Sequence, residues 1–280
     1  MVGTPIGNLR DISLRAIDIL KEVDVIAAED TRVSRKLLES IGVAKRAISH
    51  HLHNENQSSD GILLLLRQGK SVALISDSGT PGVSDPGARL VSKAHQDNID
   101  VVAIPGASAL TGALSVSGFS SKMMTFHGFL PVKGNVRTQI LSLASEMDGM
   151  QVFFEAPHRL KSTIQDLIRA FGSDRHISVS KELTKRFEST HRSTLESFEQ
   201  AIQSGALEVR GEFVLILEGI GQGKKENLSD NLPHFLDVLL SEMPLREAVR
   251  IAVRLSGKSR KEVYRLALSK KSESTSMEDY

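Results

Sequence analysis

An α/β architecture of two lobes followed by a small helical unit is what this sequence predicts, and three observations predict it. Short apolar runs ending in polar or turn residues alternate with capped helical stretches through residues 1–119. The alternation restarts after the turn-forming stretch Gly118–Lys122 and continues through 120–222. From 228 to 270 the apolar residues keep a helical period, while Lys and Arg accumulate.

The first-lobe strands are Val23–Ala28, Ser71–Ser76 and Asp100–Ile104, short apolar runs of the kind a parallel sheet buries on both faces. Between them, Ser13 caps a helix over Leu14–Glu22, Asp85 with Pro86 opens one over Gly87–Gln96, and Ser108 opens one over Ala109–Ser117. Such a β-α-β series makes a largely parallel sheet with ligand loops at the strand C-termini. In the second lobe, strands are expected at Gln151–Phe154, Ile177–Ser180 and Glu212–Leu217, with helices near Arg159–Phe171 and Leu195–Ser204. Gly219–Asn227 reads as a linker. Beyond it, Leu245, Val249 and Ala252 share one helix face and Arg246, Arg250 and Arg254 form a ridge opposite. Ser256-Gly257 ends that helix. Ser259 and Glu262 then have the spacing of a capping box, opening a second helix through Val263, Leu266 and Ala267 and completing a helix-turn-helix-like pair. Residues 271–280 are expected to fray.

With 280 residues, 40% hydrophobic and 25% charged, the chain has the balance of a globular protein with sizeable cores. No apolar run reaches the roughly 20 residues of a membrane helix, and Met1 is followed by turn residues instead of a basic and then apolar leader. A cytoplasmic protein is expected. Cysteine is absent, which excludes disulfides, thiolate metal clusters and covalent catalysis through a Cys adduct. The net charge of +1 hides an asymmetry: Leu245–Lys271 carries nine Lys or Arg against two Glu, whereas residues 1–120 are slightly acidic. A polyanion-binding surface is therefore expected toward the C-terminus. Aromatic residues are only 4% and Trp is absent, which argues against a sheet that stacks many bases.

The densest motif is Ser76–Gly87, SDSGTPGVSDPG, placed after a strand and before a helix. Its Gly and Pro residues permit tight turns and close approach of a ligand to backbone N–H groups. Asp77 and Asp85 suit an amino group or ribose hydroxyls, and the loop N–H groups with the helix N-terminus suit a carboxylate, so the loop fits an amino-acid moiety. The plain alternative is an ordinary β-α loop. The loop lacks the Gly-Lys-Ser/Thr ending of a phosphate loop. Pro105–Ser108 likewise follows a strand and opens a helix, where any β-α unit may place a Gly and a Ser cap, and the opening Gly3–Asn8 has the same style without the Gly spacing of the dinucleotide fingerprint. Glu29-Asp30-Thr31-Arg32 emerges at the same sheet edge, offering carboxylates for a substrate hydroxyl or, alternatively, a helix cap and a solvent ion pair. Glu155–Arg159 repeats the theme in the second lobe, with His158 as a titratable group. His50, His51 and His53 lie on an irregular segment without acidic partners, so they read as a loop and no metal is expected.

Taken in order, GTPIGN (3–8), AEDTR (28–32), SDSGTPGVSDPG (76–87), PGAS (105–108), GFLP (128–131), FEAPHRL (154–160), KELTK (181–185) and GEFVL (211–215) resemble the ribosomal RNA branch of the tetrapyrrole methylase family. The resemblance spans nearly the whole chain and implies the two-lobe fold of that family. It also implies 2′-O-methylation of a cytidine ribose in the decoding region of small-subunit RNA, with S-adenosylmethionine bound between the lobes. Carried over by position, Asp77, Ser78, Gly79, Val83 and Asp85 match the loop for the methionine end of the cofactor. Ser108 and Ala109 match the second cofactor loop, and Phe154, Leu183, Gly211 and Glu212 match elements around the adenosine. Lys133, Arg137, Arg159 and Lys181 are candidates for RNA contact, chosen partly by charge, and Arg246, Arg250, Arg254, Lys258, Arg260 and Lys261 join them on the helical unit. The implied partners are small-subunit ribosomal RNA, free or in the assembled subunit, and a second copy of the chain. One departure stands out: the family opens with a complete strand before its TPIGN loop, where this chain has only Met1 and Val2. A clipped first strand, leaving neighbours with unpaired backbone groups unless another segment fills the gap, is expected.

Methyl transfer from a sulfonium needs placement first, and orientation alone supplies on the order of 7–11 kcal/mol. Glu29, Asp30 and His158 are the candidate general bases. Two other functions compete: a tetrapyrrole methylase, which would carry a G-x-G-P-G-D type opening and have no use for a basic tail, and a non-catalytic RNA-binding adaptor, which would not bind S-adenosylmethionine.

Overall fold

The structure, a computed structural model, describes residues 1–219 and 232–275. The expected linker, apart from Gly219, therefore lies outside the described residues, as do 228–231 of the helical unit and 276–280 of the tail. Residues 1–219 form one compact unit and 220–280 a second.

In the first lobe the elements run α1 (Leu14–Glu22), β1 (Val25–Ala28), α2 (Thr31–Ser40), β2 (Ala47–Ser49), α3 (Glu55–Arg67), β3 (Val72–Ile75), α4 (Ala88–Gln96) and α5 (Ala109–Val116). Ser13 caps α1 as its spacing predicts, its Oγ accepting from the Ala16 N–H at 3.1 Å. The sheet order is β2-β1-β3 with both pairings parallel, and β1 is buried from Ile26 to Ala28 because helices cover both faces. All three strands end at one edge, where the ligand loops begin.

Two expectations change here. The Asp100–Ile104 run forms no strand, only a single parallel bridge between Ile104 and Val2. Met1 and Val2 are its ladder partners: the Met1 ammonium donates to the Val102 carbonyl, and Ile104 N–H to the Met1 carbonyl. Val2 N–H in turn donates to Leu74 O at 2.9 Å, so these two residues fill the slot of a first strand beside β3. Asp85 does not cap α4 either. The helix starts at Ala88 behind Gly87, whose φ of 132° only glycine adopts readily, and no side chain caps it.

The second lobe holds β4 (Met124–Phe129), α6 (Gly134–Glu146), β5 (Met150–Glu155), α7 (Pro157–Phe171), β6 (His176–Lys181), β7 (Ser189–Thr194), α8 (Leu195–Gln203) and β8 (Phe213–Leu217). Its sheet runs β4-β5-β8-β6-β7; only β4 and β5 are parallel. The apolar run FVLIL of β8 is buried at every position because it is the central strand, covered on both sides. On one face Phe153, Leu160, Ile164, Leu167, Ile177 and Phe198 pack with α7 and α8. On the other, Val152, Val214 and Ile216 pack against Ile6 and Ala113 of the first lobe. The boundary near Gly118–Lys122 therefore separates two sheets, each with a core of its own, and one further core spans it. Each fully buried side chain of this kind contributes about 1.5–3 kcal/mol.

In the helical unit, α9 (Leu232–Glu242), α10 (Leu245–Ser256) and α11 (Arg260–Thr275) enclose Leu236, Val249, Ala252, Val263 and Ala267. Gly257 ends α10 in the left-handed conformation at φ 66°, and Ser259 Oγ accepts from the Glu262 N–H at 3.3 Å to start α11. The helix continues to Thr275, past Lys271 where fraying was expected.

A carboxylate-walled cleft between the lobes

Three loops of the first lobe interlock at the strand C-termini. Gly3 and Gly106 cross backbone to backbone: a Cβ on Gly3 would lie 2.7 Å from the Gly106 nitrogen, so both positions require glycine. Thr4, fully buried, ties this crossing to the SDSGTPG loop, its N–H donating to Gly79 O at 2.8 Å and its hydroxyl to the same oxygen at 3.2 Å. Gly79 itself sits at φ 81° and Ser84 at φ 66°, a conformation that non-glycine residues rarely hold.

Against these loops the second lobe closes a cleft of about 410 Å³, within the size range of small-molecule sites. Of the residues expected around a cofactor, Ser78, Gly79, Val83, Asp85, Ser108 and Ala109 line it from the first lobe, and Phe154 and Glu212 from the second. Asp77, Leu183 and Gly211 do not line it. Asp77 Oδ1 accepts from the Asp30 N–H at 2.9 Å at the rim. Leu183 is buried in the shared core, where its side chain joins Ile6 and Ala113. Gly211 lies at φ 89° packed on Glu182, so its role is to let that carboxylate approach. Sequence reasoning missed Ile6, Thr80, Ser84, Phe129, Ala156, Pro157, Phe213 and Val214 as lining residues. Several lie inside quoted motifs, GFLP and GEFVL among them, so the signal was present without its direction.

Asp85 is the one first-lobe carboxylate that lines the cleft, and Glu29 and Asp77 lie near enough for their charges to act on it. Burial, opposed by the Asp77 N–H, pushes the Glu29 carboxyl up, with the charges of Asp77 and Asp30 adding to the push. Burial also raises Asp77. Asp85 is raised to about 6, first by burial and then by the charge of Glu29, with a hydrogen bond from Ser76 opposing. Asp30 behaves oppositely. Its carboxylate accepts from Arg32 at N–H (2.8 Å), Nε (3.0 Å) and Nη2 (2.6 Å), which holds it far below the usual carboxylate range. It caps α2 and is unsuited to accept a proton at neutral pH, so the candidate bases narrow. His158 is exposed in the first turn of α7 and does not line the cleft. Glu29 does not line the cleft either, but its Oε2 accepts from the N–H of Asp77, the residue before the lining Ser78, and burial raises its carboxyl.

On the second lobe the charges are paired. Glu155, fully buried, accepts from its neighbour Ala156 N–H at 2.8 Å and from Thr163 Oγ1 at 2.5 Å, and lies 3.4 Å from Arg159 Nε. Arg159 Nη2 donates to Leu130 O at 2.5 Å. Arg137 is paired with Asp166, and Lys181 donates to Glu208 O at 3.0 Å. These three basic side chains, expected to contact RNA, are largely buried and tied to partners within the lobe. Lys133 is exposed. On the helical unit Arg246, Arg250, Arg254, Arg260 and Lys261 are exposed as their periodicity predicts, and Lys258 is half-buried, 3.5 Å from Glu262. The histidine segment holds no metal cluster among the described residues. His50 is buried, with Nδ1 2.8 Å from Ser58 Oγ, and burial lowers its pKa.

Residues 1–199 match the Tetrapyrrole (Corrin/Porphyrin) Methylases. The chain belongs to the tetrapyrrole methylase family. Residues 227–271 match the RsmI C-terminal HTH domain. Curated relatives include the ribosomal RNA small subunit methyltransferase I of Neisseria meningitidis serogroup A, 38% identical over 96% of this chain and 92% of that protein. The protein of the same name from Pseudomonas aeruginosa is 38% identical over 98% of each chain. Among solved structures, diphthine synthase superposes with a TM-score of 0.60 at 16% identity, covering 78% of this chain and 88% of that one. Cobalt precorrin-4 methyltransferase superposes with a TM-score of 0.55 at 17% identity, covering 78% and 92%. These two share the fold.

This tetrapyrrole methylase family member is a methyltransferase that uses S-adenosylmethionine, and its cleft fits that donor. The donor carries a sulfonium and an ammonium, which the cleft-lining carboxyl of Asp85 favours in its ionised form. Its carboxylate suits the uncapped N–H groups at the start of α5, where Ser108 makes no side-chain cap. Its adenosine suits the apolar wall of Phe154, Phe213 and Val214. No helix among the described residues is long and apolar enough to cross a membrane.

Proposed function

We propose that this enzyme methylates the 2′-oxygen of a cytidine ribose in the decoding region of 16S ribosomal RNA, free or in the assembled small subunit, and works as a cytoplasmic homodimer. The observation that carries the reading is the match along 96–98% of the chain to proteins named for small-subunit ribosomal RNA, a match that includes the basic helical unit. That unit has no use in methylating a macrocycle. Its exposed Arg ridge on α10 suits phosphates.

We assign 1–119 as the lobe of the cofactor loops, 120–222 as the lobe that completes the cleft, and 228–270 as the RNA-docking unit. S-adenosylmethionine supplies an activated methyl group. The chain's own contribution is to hold the ribose in line, to exclude water and to receive the hydroxyl proton. Glu29 is the assigned proton acceptor: burial weakens its ionised form and so strengthens it as a base, while Asp77 N–H at 3.4 Å orients one oxygen. Supplying labelled S-adenosylmethionine with small subunits, naked 16S RNA or a tetrapyrrole tests the reading. The expected product is 2′-O-methylcytidine in RNA. Label in the tetrapyrrole, or on a base, would overturn it.

A further inference from the structure

Phe129 is a large apolar side chain left 56% exposed at the cleft, in a chain with only ten Phe, two Tyr and no Trp. Its position is enforced by three features of the fold. A bulge in β4 pairs Phe126 with Val152 and Phe129 with Phe154, so residues three apart in sequence advance only two places in register. The extra residue turns both rings to the face that carries Phe154, where a regular strand would put them on opposite faces. The rings then form an edge-to-face ladder, Phe126 to Phe154 at 4.9 Å and Phe154 to Phe129 at 5.6 Å. Gly128 makes the bulge at φ 64°, against Ser84 of the glycine-rich loop. Finally, the residue after Phe129 is fixed by the Thr163–Glu155–Arg159 network, which ends on the Leu130 carbonyl. A buried charge network is a costly way to hold a turn, and here it holds an aromatic ring facing solvent.

We infer that Phe129 is a stacking platform for the base of the nucleotide being methylated. The inference rests on the RNA reading above. A nucleobase is the ligand that a rigid, exposed π face takes up without regard to hydrogen-bond pattern, and two nucleobases come to this cleft, the target base and the adenine of the cofactor. The target base is favoured by exposure: Phe129 is the open ring of the cleft lining, whereas Phe154 is half-buried and Val214 buried, and the exposed Val132 and Lys133 follow three and four residues further along the chain. The more buried lining, Phe154 and Val214, is left to the adenine. Stacking there also holds an unstacked nucleotide out of its RNA, with the ribose presented to the acidic edge.

Because the chain has no tryptophan, Phe129→Trp gives a single fluorescent reporter at the platform. Its emission should be quenched by small-subunit RNA containing the target cytidine and changed little by S-adenosylmethionine alone. Phe129→Leu, which keeps apolar bulk without a π face, should raise KM for RNA by roughly 5- to 150-fold and leave KM for the cofactor within twofold or so. Equal quenching by cofactor alone, or a rise confined to the cofactor KM, assigns the ring to adenine and overturns the inference, as does an unquenched reporter with an unchanged RNA KM. Wild-type enzyme assayed in parallel separates the two layers: if it fails to methylate RNA, the functional reading falls; if it methylates RNA and both variants behave as wild type, only the platform does.

Discussion

The two walls of the cleft treat charge in opposite ways. On the first lobe, burial raises Glu29, Asp77 and Asp85, and neighbouring carboxylates add to it: Asp77 at Glu29, Asp30 at Asp77, and Glu29 at Asp85. On the second, Glu155 has Arg159, and Glu182 and Glu212 share Lys185 at 2.8 and 2.9 Å. Burial alone would raise Glu182, but Lys185 and the Glu212 N–H outweigh it and the net shift is downward. The first wall is electrostatically incomplete and gains by taking up a cation; the second is complete and holds shape. Removing a charge should therefore impair function on one side and stability on the other.

The largest effect is expected at Glu29. Glu29→Gln should lower the single-turnover rate by about 100- to 10,000-fold with cofactor affinity nearly intact, measured by rapid quench and calorimetry. A rate within a few-fold of wild type would remove Glu29 as proton acceptor and leave positioning as the source of catalysis.

Next comes the opposite wall. Arg159→Met strands the buried Glu155 carboxylate and should destabilise the fold by about 3–5 kcal/mol, read from denaturant melts, while Glu155→Gln in the same chain recovers part of the loss. If stability holds and RNA affinity falls instead, Arg159 contacts RNA and the contrast between the walls fails.

Asp85 sharpens the comparison because function and stability should move in opposite directions there. Asp85→Asn should weaken S-adenosylmethionine binding by about 10- to 100-fold and stabilise the unliganded protein at neutral pH. The folded carboxyl, raised from 3.8 to about 6, binds its proton more tightly than the unfolded one. Its ionised form therefore costs stability above about pH 6, and the cost disappears as pH falls through that value toward 3.8. Melts across this range should show the variant's advantage shrinking with acid, and wild-type cofactor affinity should fall as Asp85 protonates. An advantage independent of pH would point to packing instead.

The smallest effect belongs to the helical unit, where charge is exposed and screened. Changing Arg246, Arg250 and Arg254 to Gln should make the slope of log affinity for RNA against log salt shallower by roughly 0.7–0.9 per lost contact, with cofactor affinity unmoved. An unchanged slope would show a solvated face.

Much of this was legible in the chain. The apolar runs of β1, β3, β5, β6 and β8, the Ser13 cap and the Gly257 stop depend on neighbours a few residues away, so local chemistry fixes them. The glycine-rich loops were visible as loops for the same reason. What sequence could not supply was direction and pairing. Asp30 and Glu29 are adjacent and chemically alike, yet one is neutralised by Arg32 and the other is left among carboxylates, because β1, β3 and their loops meet only in the folded sheet. Arg159 and Lys181 look like free cations until the carbonyls of Leu130 and Glu208 arrive from distant segments. Phe129 reads as an ordinary strand residue until the bulge at Gly128 decides which way its ring faces. Sequence by itself determined the buried apolar strands, the family and the location of charge, but not β2, β4 and β7, which carry no buried apolar run. Tertiary structure decided which charges are cancelled, since electrostatic energy depends on separation in space and on burial, and neither is a property of order along the chain.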